Sequence, residues 1–235
     1  LNSNALAMLG RDGEARLPGG LNETKTVAEK YNGEVFTGRN ATEENFKKNA
    51  SKYKILHLSM HALMDEEFPM RSHLVFESMP SEEDNMLQIG ELYNMEIPAD
   101  LVVLSACNSG FGKIRTGEGV QSLATAFNYA GTKSTVMSLW KVPDQSTAPI
   151  MVNFYEELHK KKTKDESLRQ AKLNYLDETV ADELVHPLYW AGFIASGDMS
   201  PIYEKRNQWI WWLVGLGSLS VVGFLFFQRR KIVKN

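Results

Sequence analysis

The segment Leu101-Val102-Val103-Leu104-Ser105-Ala106-Cys107-Asn108-Ser109-Gly110 holds the chain's single cysteine. Its Val/Leu run has the composition of a strand buried on both faces, as in parallel sheets covered by helices. Ligands and reactive groups in open α/β sheets gather outside the carboxyl ends of the strands. A thiol there is presented on a turn, which suits a nucleophile. Tyr53-Lys54-Ile55-Leu56-His57-Leu58-Ser59-Met60-His61 has the same form, an apolar strand that ends on histidine. Two adjacent strands ending in His61 and Cys107 make a thiol–imidazole dyad.

Working outward, the pattern predicts strands at 5–9, 34–37, 74–76, 134–140 and 189–195. Helices are expected at 21–31, closed by Asn32-Gly33, and at 43–52, with Thr42 as N-cap. Further helices are expected at 88–93 and from Val120 to Ala130, ending at Gly131. The apolar stripes Met151/Phe154/Tyr155/Leu158 and Leu168/Ala171/Tyr175/Leu176 each have helical spacing. Residues 81–85 read as an exposed loop, and the glycine-rich 110–119 as a mobile connection or an activation loop. Strands alternating with amphipathic helices imply an α/β domain with a mainly parallel sheet flanked by helices.

The 235 residues are 43% hydrophobic and 23% charged, enough for one sizeable core. A net charge of −3 gives no general attraction to nucleic acid, so no nucleic-acid contact is expected. One cysteine allows no internal disulfide. The uncharged stretch Trp209-Ile210-Trp211-Trp212 through Phe227 is long enough to span about 30 Å of hydrocarbon. Its tryptophans sit at one end, and Arg229, Arg230, Lys231 and Lys234 follow the other. The expectation is therefore a domain over 1–200, a linker over 201–208, a transmembrane helix over 209–227 and a basic tail over 228–235. The charge tally leans towards a single-pass membrane protein with an extracytoplasmic domain and a cytoplasmic tail, with a tail-anchored protein and cytoplasmic domain as the alternative. The domain is expected to be truncated at its N-terminus.

Rival chemistries fail on spacing. A cysteine phosphatase needs an arginine six positions behind the thiol, and Arg115 is eight on. Gly112-Lys113 is followed by Ile114, which breaks a P-loop. Ser109 has Cys107 where a nucleophile elbow needs glycine. His57 and His61 lack the Glu of a zinc-protease helix and a third ligand, so no metal and no cofactor are expected. His57, deep in the apolar run, reads as a satisfied structural histidine; His61, at the exit, is the better base. Asp144 reads either as an acidic pocket wall or as the N-cap of the following helix. Lys160-Lys161-Lys162 with Lys164 reads as a solvated inter-helix loop.

ILHLSMHA at 55–62, LVVLSACNSGFG at 101–112, TGEGVQSLATAF at 116–127, AGTKSTVMSLWKVPD at 130–144, NFYEELHK at 153–160 and HPLYWAGFIASGD at 186–198 together resemble the CHAT domain. This is a caspase-like peptidase domain of the caspase/separase clan, often found after tetratricopeptide repeats. The resemblance implies a caspase–haemoglobinase-type fold, with Cys107 as nucleophile and His61 as the catalytic histidine. It implies an oxyanion hole made by the backbone N–H groups of Cys107 and Ala62. Ser105, Trp140 and Asp144 are expected to line the substrate groove. Some clan members that prefer basic residues carry an acidic residue two before the cysteine; Ser105 stands there, so that preference is not implied. The expected partners are a protein or peptide substrate, the membrane, and upstream tetratricopeptide repeats or a regulatory protein. The leading reading is a membrane-anchored cysteine endopeptidase switched on by a partner or ligand. The alternatives are a non-catalytic, membrane-tethered interaction module and another thiol hydrolase or acyltransferase.

Overall fold

A computed structural model describes residues 5–9, 18–65, 67–78, 84–105, 113–115, 119–179 and 181–203. The chain divides into one unit over Leu1–Ile202 and another over Tyr203–Asn235, of which only Tyr203 is described. In chain order the elements are β1 (Ala5–Leu9), α1 (Pro18–Tyr31), β2 (Glu34–Thr37), α2 (Glu43–Asn49), β3 (Ile55–Ser59), β4 (His61–Leu63), β5 (His73–Val75) and β6 (Met86–Gln88). They continue with α3 (Ile89–Leu92), β7 (Leu101–Leu104), β8 (Lys113–Arg115), β9 (Gly119–Gln121), α4 (Leu123–Tyr129), β10 (Ser134–Ser138), α5 (Asp144–His159), α6 (Lys164–Glu178) and β11 (Phe193–Gly197).

Six strands form the central sheet in the order β11-β10-β7-β3-β1-β2. Its neighbours from β2 to β10 are all parallel, and β11 closes the edge antiparallel to β10. Every residue of β3, β7 and β10 is buried, which is why their sequences run apolar without alternation. Leu6, Met8, Leu56, Leu58, Val102 and Leu104 face one side, with Phe46 of α2, Ile89 and Leu92 of α3, and Leu123 and Phe127 of α4. The alternate positions, Ile55, His57, Leu101 and Val103 among them, face the other side. There α1 packs on β1 and β3, and α5 packs between α1 and α6.

Local chemistry sets the helix ends. Thr42 Oγ1 accepts from the Asn45 N–H at 3.2 Å, and Ser122 Oγ from the Thr125 N–H at 3.3 Å. Gln88 and Glu91 form a reciprocal capping box at the start of α3. Each such cap is worth about 1 kcal/mol. Asn32 takes a φ of 49° to turn α1 into β2.

The expected mainly parallel sheet flanked by helices is present. Three expectations change. The apolar run 53–61 is not one strand: β3 ends at Ser59, and His61 opens β4 in a separate antiparallel sheet, β4-β5-β6. Pairing of His61 with Val75 takes the chain out of the main sheet. The helix expected from Val120 begins at Leu123, because Ser122 caps it and Val120 pairs with Ile114 in the β8–β9 hairpin. The third change concerns the membrane. Among the described residues no helix is long and apolar enough to cross a bilayer, which stands against the expected single-pass membrane localisation. The 209–227 segment lies outside the described residues, as do the 81–83 part of the expected loop and the basic tail.

Gly33 carries a requirement that sequence pattern alone does not reveal. A Cβ there would lie 2.3 Å from the Ala5 carbonyl oxygen, where β1 and β2 run side by side. A Cβ at Gly90, on α3, would meet nothing closer than 3.7 Å. Gly33→Ala is expected to lower stability by about 2 kcal/mol or more, and Gly90→Ala to stay within about 0.5 kcal/mol, as read from urea midpoints.

Candidate active site

The site is built at the carboxyl ends of β3 and β7. These strands are parallel neighbours with Ile55 level with Leu101, Leu56 with Val102, His57 with Val103 and Leu58 with Leu104. β10 lies on the far side of β7 with Met137 level with Leu104. Three parallel strands therefore deliver their following segments to one rim of the sheet. His61 follows β3 and is half-buried at the start of β4. Cys107 and residues 106–112 lie outside the described residues.

The ladder of the small sheet fixes the direction of the Ala62 peptide. The Phe76 N–H donates to the Asn85 carbonyl and the Ile89 N–H to the Ser72 carbonyl, both at 2.9 Å. Even-numbered residues of β5 thus turn their backbone groups towards β6, and His73 and Val75 turn theirs towards β4. His73 pairs with Leu63 and Val75 with His61. The Ala62 N–H and C=O consequently point away from β5, towards the edge that no other strand of this sheet covers.

A buried polar cluster lies beneath the rim on the α1/α5 face. The His57 ring Nε2 is 3.1 Å from Glu23 Oε2, and its Nδ1 is 3.0 Å from the Tyr155 hydroxyl. Glu23 and His57 are buried to 0% exposure, as is Tyr155. Ser105 Oγ–H donates to the same Glu23 Oε2 at 2.7 Å. Burial pushes the Tyr155 phenol well above its ordinary pKa, with the Tyr31 and Glu23 charges adding to the effect. Tyr155 therefore keeps its proton, and the His57 ring bridges the phenol and the carboxylate through its two nitrogens. The cluster runs from Tyr155 through His57 to Glu23, and Ser105 donates to the same carboxylate oxygen. Tyr31 O–H, on α1, donates to the Tyr155 carbonyl at 3.2 Å and ties the two helices together. His57 is thus a satisfied structural histidine, as its depth in the apolar run suggested.

The expected groove residues occupy different settings. Ser105 is half-buried and already bonded to Glu23. Trp140 follows β10; its Nε1–H is committed to the Leu188 carbonyl at 2.9 Å, and its ring lies against Gly192, where a Cβ would come within 3.0 Å of it. Asp144 is the first residue of α5 with Pro143 in the capping position, so the N-cap reading is corrected. As an acidic residue in the first turn, Asp144 favours the helix dipole. Its side lines a cleft of about 990 Å³ with Asn22, Pro149, Asn153, Glu156 and Glu178. No lining residue of that cleft comes from β3, β4 or β7. Sequence reasoning missed Glu23 and Tyr155. The one available signal was a histidine embedded in an apolar strand, which demands buried partners without saying where they come from.

Among solved structures, the chain is similar to the Arg-specific cysteine proteinase gingipain R. The TM-score is 0.56 at 12% identity, over 85% of this chain and 47% of the other. It is also similar to a chain of the Saccharomyces cerevisiae separase–securin complex, with a TM-score of 0.53 at 13% identity, over 83% of this chain and 12% of the other. At these identities the likeness is one of fold: a caspase-like α/β domain. In sequence, the chain is 29% identical over 118 residues to the Homo sapiens tetratricopeptide repeat protein 28, and 30% identical over 112 residues to the Mus musculus protein. Those matches cover 50% and 48% of this chain but only 5% and 4% of the relatives. The CHAT domain model matches residues 3–198, so the chain belongs to the CHAT domain family.

Proposed function

We propose that this CHAT domain is a cysteine endopeptidase. The observation that carries the reading is the parallel register of β3 and β7. Leu58 and Leu104 are register partners, and His61 and Cys107 each stand three positions further along the chain. In this reading the Cys107 sulfur attacks the peptide carbonyl carbon, forming a C–S bond as the C–N bond breaks. His61 delivers the thiol proton to the departing amine. Water then cleaves the thioester, giving the carboxylic acid and regenerating the thiol. The Ala62 N–H, turned away from β5, is an available donor for the oxyanion, together with the backbone N–H of Cys107. Ser105, Trp140 and Asp144 are proposed to border the substrate groove. The substrate is a protein or peptide, and the likeness to tetratricopeptide repeat proteins supports a role beside such repeats. A partner or ligand is proposed to switch the domain on.

The reading is tested by incubating a peptide library with wild type, Cys107→Ala and His61→Ala, with and without cell extract. Wild type is expected to cleave, Cys107→Ala to give no cleavage, and His61→Ala to lose at least about 100-fold. Cleavage that survives Cys107→Ala sinks the proposal. Hydrolysis of esters without peptides assigns the site to another thiol hydrolase, and partner capture without cleavage that survives Cys107→Ala assigns it to an interaction module.

Ala62→Pro tests the oxyanion donor separately. Proline removes an N–H that the β4–β5 ladder does not use, and edge positions tolerate it. Turnover is expected to fall about 100- to 1,000-fold with the β-sheet circular dichroism retained. Unchanged turnover rules out Ala62 as a donor.

A further inference from the structure

The small sheet β4-β5-β6 has two unlike faces. Ala62, Leu74 and Leu87 are register neighbours on one of them, and Leu74 and Leu87 are fully buried in the core. The row Leu63, His73 and Gln88 lies on the opposite face. That face carries a groove of about 580 Å³, lined in part by Leu63, Met64 and Met86. Its size falls in the usual range of ligand clefts, roughly 300–1,000 Å³. Leu63 and Met86 are exposed, and so are Phe68 and Met70 beside the groove. Met70 Cε lies 3.7 Å from where a Cβ on Gly90 would stand, so the apolar surface runs from β4 across β6 to the start of α3. A continuous apolar surface of this kind marks a place of contact, unlike scattered single residues.

The polar groups of the groove offer donors. Asp65, the one carboxylate among its described lining residues, is engaged: its Oδ1 accepts from the N–H groups of Glu67 and Phe68, at 3.0 and 2.8 Å. The Gln88 side chain accepts from the Glu91 N–H in the capping box, which uses its oxygen and leaves its NH2 group over. The Arg71 guanidinium lies flat over the Phe68 ring, 4.6 Å from its centre, with no carboxylate partner among the described residues. His73 Nδ1 donates to the Arg71 carbonyl at 2.8 Å and holds that residue's backbone on the sheet. A fixed guanidinium without a partner matches a carboxylate through two parallel N–H bonds. A small molecule confined to the groove would leave Phe68 and Met70 in water, whereas an extended chain crossing it covers them as well.

We propose that this face of the small sheet docks an extended segment of a partner protein in which an apolar side chain stands beside a glutamate or aspartate. The apolar side chain enters among Leu63, Met64 and Met86, and the carboxylate takes the Arg71 guanidinium and the Gln88 NH2 group. None of these residues belongs to the Cys107–His61 pair, so the docking site does not rest on the peptidase reading.

The experiment is retention of the labelled full chain on an array of peptides in which two adjacent positions of a Gly/Ser frame run through all amino acids. Wild type is compared with Arg71→Glu and with the double variant Leu63→Ser/Met86→Ser, each checked by thermal melting. Wild type is expected to be retained by pairs such as Leu-Glu and Met-Asp, and to lose at least about tenfold when the acid is replaced by its amide. Arg71→Glu is expected to exchange the preference for the acid for one for lysine. Leu63→Ser/Met86→Ser is expected to lower retention about tenfold and to erase the apolar requirement. No pair retained above the bare frame overturns the proposal, as does a preference that a folded Arg71→Glu leaves in place. Should Arg71→Glu not fold, Arg71→Gln must lose the preference for the acid, and its persistence overturns the proposal. Retention only by a free C-terminal carboxylate assigns the groove to chain ends instead. A dimer in sedimentation that Leu63→Ser/Met86→Ser dissolves assigns the face to a second copy of this chain. Either result also overturns the proposal.

Discussion

The parallel pairing of β3 with β7 is the constraint on which this structure depends. Both strands are buried on both faces, so their register cannot slip. A shift of one residue would turn every side chain to the opposite side of the sheet. His57 would then enter the apolar layer of Leu56, Leu58, Val102 and Phe127, and Leu58 would face the Glu23 carboxylate. Burial of apolar area at about 25 cal/mol per Å² drives the strands together. The cost of a misplaced charge tells them where to stop.

That division of labour explains a fully polar cluster in the middle of a core. Glu23 of α1, His57 of β3, Tyr155 of α5 and Ser105, which follows β7, are joined by hydrogen bonds. Apolar packing on the other face, where Phe46 meets Phe127 edge-on and Phe76 tilted, tolerates small shifts. A hydrogen bond does not, since it weakens steeply with angle and distance. The two faces of the sheet therefore differ in purpose. One supplies most of the burial, and the other fixes the relation of α1 and α5 to the strand ends.

The break after Ser59 has a similar logic. Had the chain continued as one strand, His61 would have stayed within the main sheet. Instead Met60 stays buried in the core and His61 pairs with Val75. This turns the Ala62 peptide outwards at an edge and leaves the histidine half-buried at the rim. The small sheet thus carries His61 out of the hydrophobic interior to the rim of the main sheet.

Much of this was legible in the amino acids. Strands at 5–9 and 34–37, the Thr42 cap and the unalternating apolar runs at 55–59 and 101–104 are local consequences of side-chain volume, backbone preference and burial, and the sequence specifies them directly. So is membership of the CHAT family, since ordered motifs keep their spacing whatever the fold does. The register of β3 against β7, the outward turn of Ala62, the partners of His57 and the clash that reserves position 33 for glycine were decided only by tertiary structure. Each depends on groups tens of residues apart in the chain. Pattern and propensity act over a few residues, whereas a hydrogen bond or a steric contact is set by where folding brings two distant segments together.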